Sequence, residues 1–200
     1  QMIVKDRRQD YAMLMGLLNI GKTNWELIEP LDDISIYADF LKQHGEGIHH
    51  VALATESYDK TVASFREKGI GIAQSGTVTF NDVTYTYLDT QDALSCTIEL
   101  YSTPPDAESE GGRPARPIFT DVLQVAVVVK NLDDALENSS KLCGLKDWQV
   151  HEFNASTMAD GTVRGKRQDF ATRNAMLNIG KVQWELIQPL DDKSIYSDFL

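Results

Sequence analysis

The sequence predicts an α+β fold of paired βαβββ modules, arranged as tandem domains. Three observations carry this. A long stretch of the chain occurs twice. Short apolar strands surround amphipathic helices in one recurring order. Acids set inside apolar strands fall, by parity, on a single strand face.

The repeat is the firmest of the three. "RRQDYAMLMGLLNIGKTNWELIEPLDDISIYADFL", residues 7–41, aligns with "KRQDFATRNAMLNIGKVQWELIQPLDDKSIYSDFL", residues 166–200, at a constant offset of 159 with 23 of 35 positions identical. A period this long reads as two copies of a domain, not as a solenoid unit. Between the copies, "TPPDAESEGGRPARP" is rich in Pro, Gly and acids and has no apolar periodicity, which predicts a linker over 104–118. The expected domains are 1–103 and 119–200. "VLQVAVVVKNLDDALENSSKLCGL" has no counterpart 159 residues earlier. Residues 1–103 therefore read as a domain lacking its first strand and helix, and 119–200 as the first βαβββ module of a second copy. A segment of a longer tandem protein and a permuted complete chain both account for this.

The elements follow in order. "LQVAVVV" alternates as a strand, with Val125, Val127 and Val129 on one face. A helix comes next: Asn131 is the expected N-cap, Leu132, Ala135, Leu136 and Leu142 form the apolar stripe, and Gly144 stops it. "WQVHEF", "DFATRNAMLNIG" and "VQWELIQPL" read as strands, and "DDKSIYSDFL" starts a short helix. After Gly45 the plan recurs with other letters. "HHVALAT" is a strand, "SYDKTVASFREKG" a helix with Ser57 as N-cap, and "GIGIAQSG", "VTYTYLDT" and "LSCTIELYS" are strands. One face of every strand is expected to pack on a helix.

Composition excludes some functions. The formal charge of −11 leaves no basic surplus to neutralise phosphates, which argues against nucleic acid as a partner. No apolar run is long enough to span a bilayer and no charged-then-apolar leader opens the chain, so the expectation is a cytoplasmic protein with no membrane partner. Cys96 and Cys143 lack CxxC spacing and read as buried free thiols in a reducing compartment.

Parity then picks out a candidate metal site. In "TNWELIEPL", Trp25 and Leu27 share the face that would pack on helices, which turns Glu26 to the other face. In "LSCTIELYS", Cys96, Ile98 and Leu100 share the apolar face, leaving Thr97, Glu99 and Tyr101 opposite. In "IHHVALA", His50, Ala52 and Ala54 share one face. An unpaired buried carboxylate costs several kcal/mol. A divalent metal shared with His50 would compensate both acids, and His plus carboxylates suits Zn, Co, Ni, Mn or Fe without choosing among them. His44, His49 and His151 read as ordinary hydrogen-bonded residues.

Paired βαβββ modules with a His/Glu site resemble the vicinal oxygen chelate superfamily, which includes glyoxalases and ring-cleaving dioxygenases. Within it, "WELIEPLDDISIYADFLKQHGEGIHHVAL" resembles the methylmalonyl-CoA epimerase family in the order and spacing of "ELIEPL", an acid-Ser helix start, "FL" and "GxGIHHVA". The resemblance implies a cupped mixed sheet around one divalent metal per complete domain. It implies His50, Glu99 and Glu26 as ligands, with Glu185 as the twin of Glu26 and Gln124 where typical members have a histidine. It also shows a departure. The family's Glu-Gln pair is replaced by Arg8-Gln9 and Arg167-Gln168. An arginine cannot accept a proton but can clamp a substrate carboxylate. Proton transfer then falls to Glu99, or to Asp10 and Asp169 two residues beyond the arginines.

Two functions follow as expectations. One is a metal-dependent epimerase, isomerase or lyase that stabilises an enolate of a small carboxylic or 2-oxo acid or its thioester. The other is a non-catalytic protein that binds small molecules of the antibiotic type on the same fold. Residues 119–200 supply Gln124 and Glu185 but no counterpart of His50 or Glu99. They read as a half-site that pairs with another module, within a longer chain or in a homodimer.

Overall fold

The computed structural model describes residues 2–79, 82–103 and 118–200. The expected linker lies outside the described residues except for Ile118. The chain forms two compact units, Gln1–Asp92 with Cys96–Val122, and Ala93–Ser95 with Leu123–Leu200. No helix among the described residues is long and apolar enough to cross a membrane.

The first unit opens on a short hairpin, β1 (Ile3–Val4) and β2 (Arg7–Arg8), then a long one, β3 (Met13–Ile20) and β4 (Thr23–Pro30). There follow α1 (Ile36–His44), β5 (His50–Ala52), α2 (Tyr58–Glu67), β6 (Ile72–Val78), β7 (Val83–Leu88), the single turn α3 (Gln91–Leu94) and β8 (Thr97–Tyr101). Six strands form one sheet in the order β2-β1-β6-β7-β8-β5, with β5 parallel to β8. The β5–α2–β6–β7–β8 segment is thus a βαβββ module whose fourth strand returns beside its first. Strands β3 and β4 pair only with each other among the described residues.

Local chemistry explains how α1 is seated. Ser35 Oγ accepts from Ala38 N, and the buried Gln74 side chain of β6 accepts from Ile36 N at 3.1 Å. Two of the helix's free N-terminal donors are thereby satisfied. Gly45, at φ 75°, ends the helix in a conformation that favours glycine. The seated turn buries Ile36 and Tyr37 against Val4, Tyr11 and Tyr87. Ser57 occupies the N-cap position of α2, as expected, but makes no side-chain cap.

The second unit runs β9 (Gln124–Val128), α4 (Leu132–Cys143), β10 (Gln149–Phe153), the small hairpin β11 (Thr162–Val163) and β12 (Lys166–Arg167), then β13 (Thr172–Ile179) and β14 (Val182–Pro189). Its sheet order is β10-β13-β14-β9, with β9 parallel to β14. This is again a βαβββ module with the fourth strand beside the first. Asn131 caps α4 by accepting from Asp133 N and Asp134 N, and Gly144 closes it in the left-handed region. The fold class is therefore α+β, built from βαβββ modules whose sheets are open.

Three expectations are corrected. Residues 191–200 give only a 3-10 turn, Ser197–Phe199, where the equivalent sequence in the first unit forms the nine-residue α1. Both cysteines are free but only half-buried. Nor is every strand backed by a helix. Leu14, Leu18, Trp25 and Leu27 share the outer face of the β3–β4 hairpin by register and are exposed, Trp25 at 46% and Leu27 at 69%. Their twins Trp184 and Leu186 are 7% and 2% exposed, in a sheet flanked by β9 and carrying α4. The difference is the strand and helix that the second unit has and the first hairpin lacks among the described residues.

Candidate metal centre

The candidate site is built in the first unit from three strands. In the parallel ladder His50 stands opposite Thr97 and Ala52 opposite Glu99, so His50 and Glu99 leave the sheet on one face. Glu26 projects from the inner face of the β3–β4 hairpin. His50 Nε2 lies 3.2 Å from Glu99 Oε2 and 3.6 Å from Glu26 Oε2. The site is secluded, with Glu99 only 1% exposed.

Those two oxygens accept no hydrogen bond and are held only by their ion pairs to His50. This is the observation that tests a metal against the residues present. Two donors bound to one divalent ion at about 2.1 Å stand about 3.0–3.4 Å apart at octahedral or tetrahedral angles. The spacings here are close to that, and the donor types suit Zn, Co, Ni, Mn or Fe. Among the described residues, no group of three or more His, Cys, Asp or Glu is placed so that it could hold a metal ion. The triad is instead closed on itself as an ion pair. The two facts agree if a cation must displace the His50 proton and part the carboxylates.

The adjacent histidines are pushed in opposite directions. Burial alone would lower His50, but the Glu26 and Glu99 carboxylates outweigh it and raise it to about 9. Burial lowers His49 to about 3, helped by the His50 charge. His49 is wedged against Tyr37, Phe40 and Tyr87, with ring centroids 5.0, 5.2 and 5.8 Å away. With His50 protonated and His49 neutral, His50 Nδ1–H donates to His49 Nδ1 at 3.1 Å. His49 thus orients the ring whose other nitrogen faces the carboxylates.

A pH profile follows for the metal-free chain. His49 contributes stability that is present above the ordinary value of 6.5 and is lost as pH falls below it. His50 contributes stability that is complete below 6.5 and is lost as pH rises through about 9. Thermal stability of the first unit should therefore peak near pH 6.5. His49→Phe should flatten the acid limb, and His50→Gln the alkaline one. Melting curves with the same slope in all three proteins would contradict the assignment.

The other expected site residues are placed as follows. Arg8 is exposed on β2, at the opposite edge of the six-stranded sheet from β5, and Asp10 is exposed just beyond it. Arg167 is exposed and pairs with Asp160 at 2.8 Å, and Asp169 is exposed. In the second unit Glu185 is buried and accepts from Asn174 Nδ2 at 2.7 Å. Gln124 shares the Glu185 face by register, but its side-chain amide donates to Gln183 at 2.7 Å. His151 is on that face too, opposite Asn174 on the far side of β13 from Glu185. The structure thus brings together Glu26, His50 and Glu99, and leaves Arg8, Asp10, Arg167 and Asp169 at exposed strand ends. The sequence reading missed the phenols beside Glu99. "VTYTYL" places Tyr85 and Tyr87 on one strand face, and that spacing was the available signal.

Residues 2–87 match the family model of the Glyoxalase/Bleomycin resistance protein/Dioxygenase superfamily, so the resemblance seen in the sequence holds over that stretch. A 4-hydroxyphenylpyruvate dioxygenase of Legionella pneumophila (strain Corby) is 45% identical over 51 residues, which are 25% of this chain and 15% of that protein. A mutant of 4-hydroxymandelate synthase from Streptomyces coelicolor superposes with a TM-score of 0.56 at 14% identity, over 93% of this chain and 54% of its own. That likeness extends the fold to nearly the whole chain. Methylmalonyl-CoA epimerase from Mycobacterium tuberculosis is similar at 23% identity, over 55% of this chain and 76% of its own, with a TM-score of 0.40.

Proposed function

We propose that the first unit holds one divalent metal on His50, Glu26 and Glu99 and moves a proton next to the carbonyl of a small carboxylic or 2-oxo acid, or of its thioester. The observation that carries this is the pair of unpartnered carboxylate oxygens converging on one buried imidazole nitrogen. A metal there supplies a Lewis acid that polarises the substrate carbonyl. The chain supplies the rest. His49 fixes the His50 ring through its Nδ1. The burial of Glu99 excludes water from the reacting centre. Glu99 is the proton acceptor in this reading. Gln124 and Glu185 belong to the half-site of the second unit. That half-site is completed by another module, in a longer chain or a homodimer, in a cytoplasmic enzyme.

The substrate class is supported by the dioxygenase relative, whose name contains a 2-oxo acid. The same name favours a second reading, oxygen-dependent oxidation of a 2-oxo acid. Against it, the site has one histidine and two carboxylates, whereas non-haem iron oxygenases of this type use two histidines and one carboxylate. The test is to incubate the protein in deuterated water with Zn, Co, Ni, Mn or Fe(II) and a panel of 2-oxo acids and acyl thioesters. Exchange of the α-hydrogen that chelation abolishes is the expected result. Oxygen uptake without exchange would favour the second reading. Tight binding of a small aromatic molecule with neither metal nor exchange would make the protein a sequestering one.

A further inference from the structure

Glu99 is more deeply buried than any other acid among the described residues, and its surroundings are phenols. Tyr87 and Glu99 are register partners across β7 and β8, so their side chains leave one face side by side, with β-carbons about 4.5–5.5 Å apart. Tyr37 Oη donates to Tyr87 Oη at 2.8 Å. A hydroxyl that accepts in this way keeps its own proton to give, and the Glu99 carboxylate is the group its register places beside it. Tyr101, two residues along β8, shares that strand face. The Tyr87 ring also lies 5.0 Å from that of His50.

The chain of contacts continues inward. Tyr11 and Tyr85 share a hydroxyl contact of 2.7 Å, and Gln74 donates to Tyr11 at 3.0 Å. Gly76 leaves room for this layer, since a β-carbon there would lie 2.5 Å from Tyr85 Oη. The candidate carboxylate is thus backed by fixed hydroxyls, while its Oε2 is left without a hydrogen bond.

We propose that Tyr87, backed by Tyr37, is a positioning residue: its phenol holds the Glu99 carboxylate so that Oε2 is turned toward His50 Nε2. Its consequence for metal binding rests on the metal reading above, but the positioning itself does not. Losing a hydrogen-bond partner of a metal ligand typically lowers affinity about 10–100-fold. Tyr87→Phe keeps the ring and removes only the hydroxyl. The control is Tyr58→Phe, whose hydroxyl contacts Thr86 instead at 2.6 Å.

The test has two readouts on the full chain. In metal-free protein labelled with 13C at glutamate side chains, Tyr87→Phe should shift the Glu99 carboxyl resonance, Tyr37→Phe should shift it less, and Tyr58→Phe should leave it in place. With Co(II) added, Tyr87→Phe should lower affinity about 10–100-fold and alter the visible absorption of the bound ion, with Tyr58→Phe unchanged. A shifted resonance in a protein that binds no Co(II) would support the positioning and overturn the metal reading. An unmoved Glu99 resonance in folded Tyr87→Phe would overturn the positioning, whether or not metal binds.

Discussion

Replacing His50 with alanine should reduce the affinity of the chain for Zn(II) or Co(II) by more than about 100-fold, the scale at which even an outer partner of a ligand matters. The substitution removes the nitrogen that faces both Glu26 and Glu99. It should also destabilise the metal-free first unit by about 3–5 kcal/mol near neutral pH, because two secluded carboxylates lose their counter-charge. Glu99 is 1% exposed and takes most of this penalty, while Glu26, with an 18% exposed side chain, takes less. His49→Phe should keep most of the metal affinity, since that ring packs among Tyr37, Phe40 and Tyr87 and only steadies its neighbour. Calorimetric titration of the two variants separates the roles, and equal affinities would refute the assignment.

The second large effect concerns the repeat. Trp25 and Trp184 are twins at offset 159 in the sequence "WELI", yet one is 46% exposed and the other 7%. Trp184→Ala should cost about 3–5 kcal/mol, the usual range for a buried tryptophan. Trp25→Ala should cost about 1 kcal/mol or less, as expected of a half-exposed side chain. Urea unfolding followed separately for each unit reads both numbers. Comparable losses would mean that the hairpin face carrying Trp25 is covered in solution.

Much of the site was legible because strand parity is a strong constraint. A side chain in a strand has only two faces to choose from, and the apolar partners of Glu26, His50 and Glu99 fixed which one each took. The helix of the second unit was legible for a similar reason, since Asn131 and Gly144 each satisfy a local backbone requirement that needs no tertiary context. What stayed hidden depends on contacts between strands far apart in sequence. His49 reads as an ordinary histidine until its Nδ1 is seen to hold His50. Gln124 carries a plausible ligand atom in its Oε1, but nothing in the sequence says that register will place Gln183 beside it to accept from its Nε2. "VTYTYL" signals a strand, yet nothing in it says that Tyr87 will stand opposite Glu99. Arg8 shows the converse. Its motif position suggested a clamp near the metal, whereas sheet order sets β2 at the edge opposite β5.

The central claim is that one cation replaces the proton shared by His50 with Glu26 and Glu99. The most direct measurement is anomalous diffraction from crystals grown with Co(II) or Zn(II). The account predicts a single strong peak in the first unit, bonded to His50 Nε2 and to the carboxylates of Glu26 and Glu99, with His50 Nδ1 still held by His49. A peak bound elsewhere, with His50 still paired to both carboxylates at the spacings seen here, would contradict it.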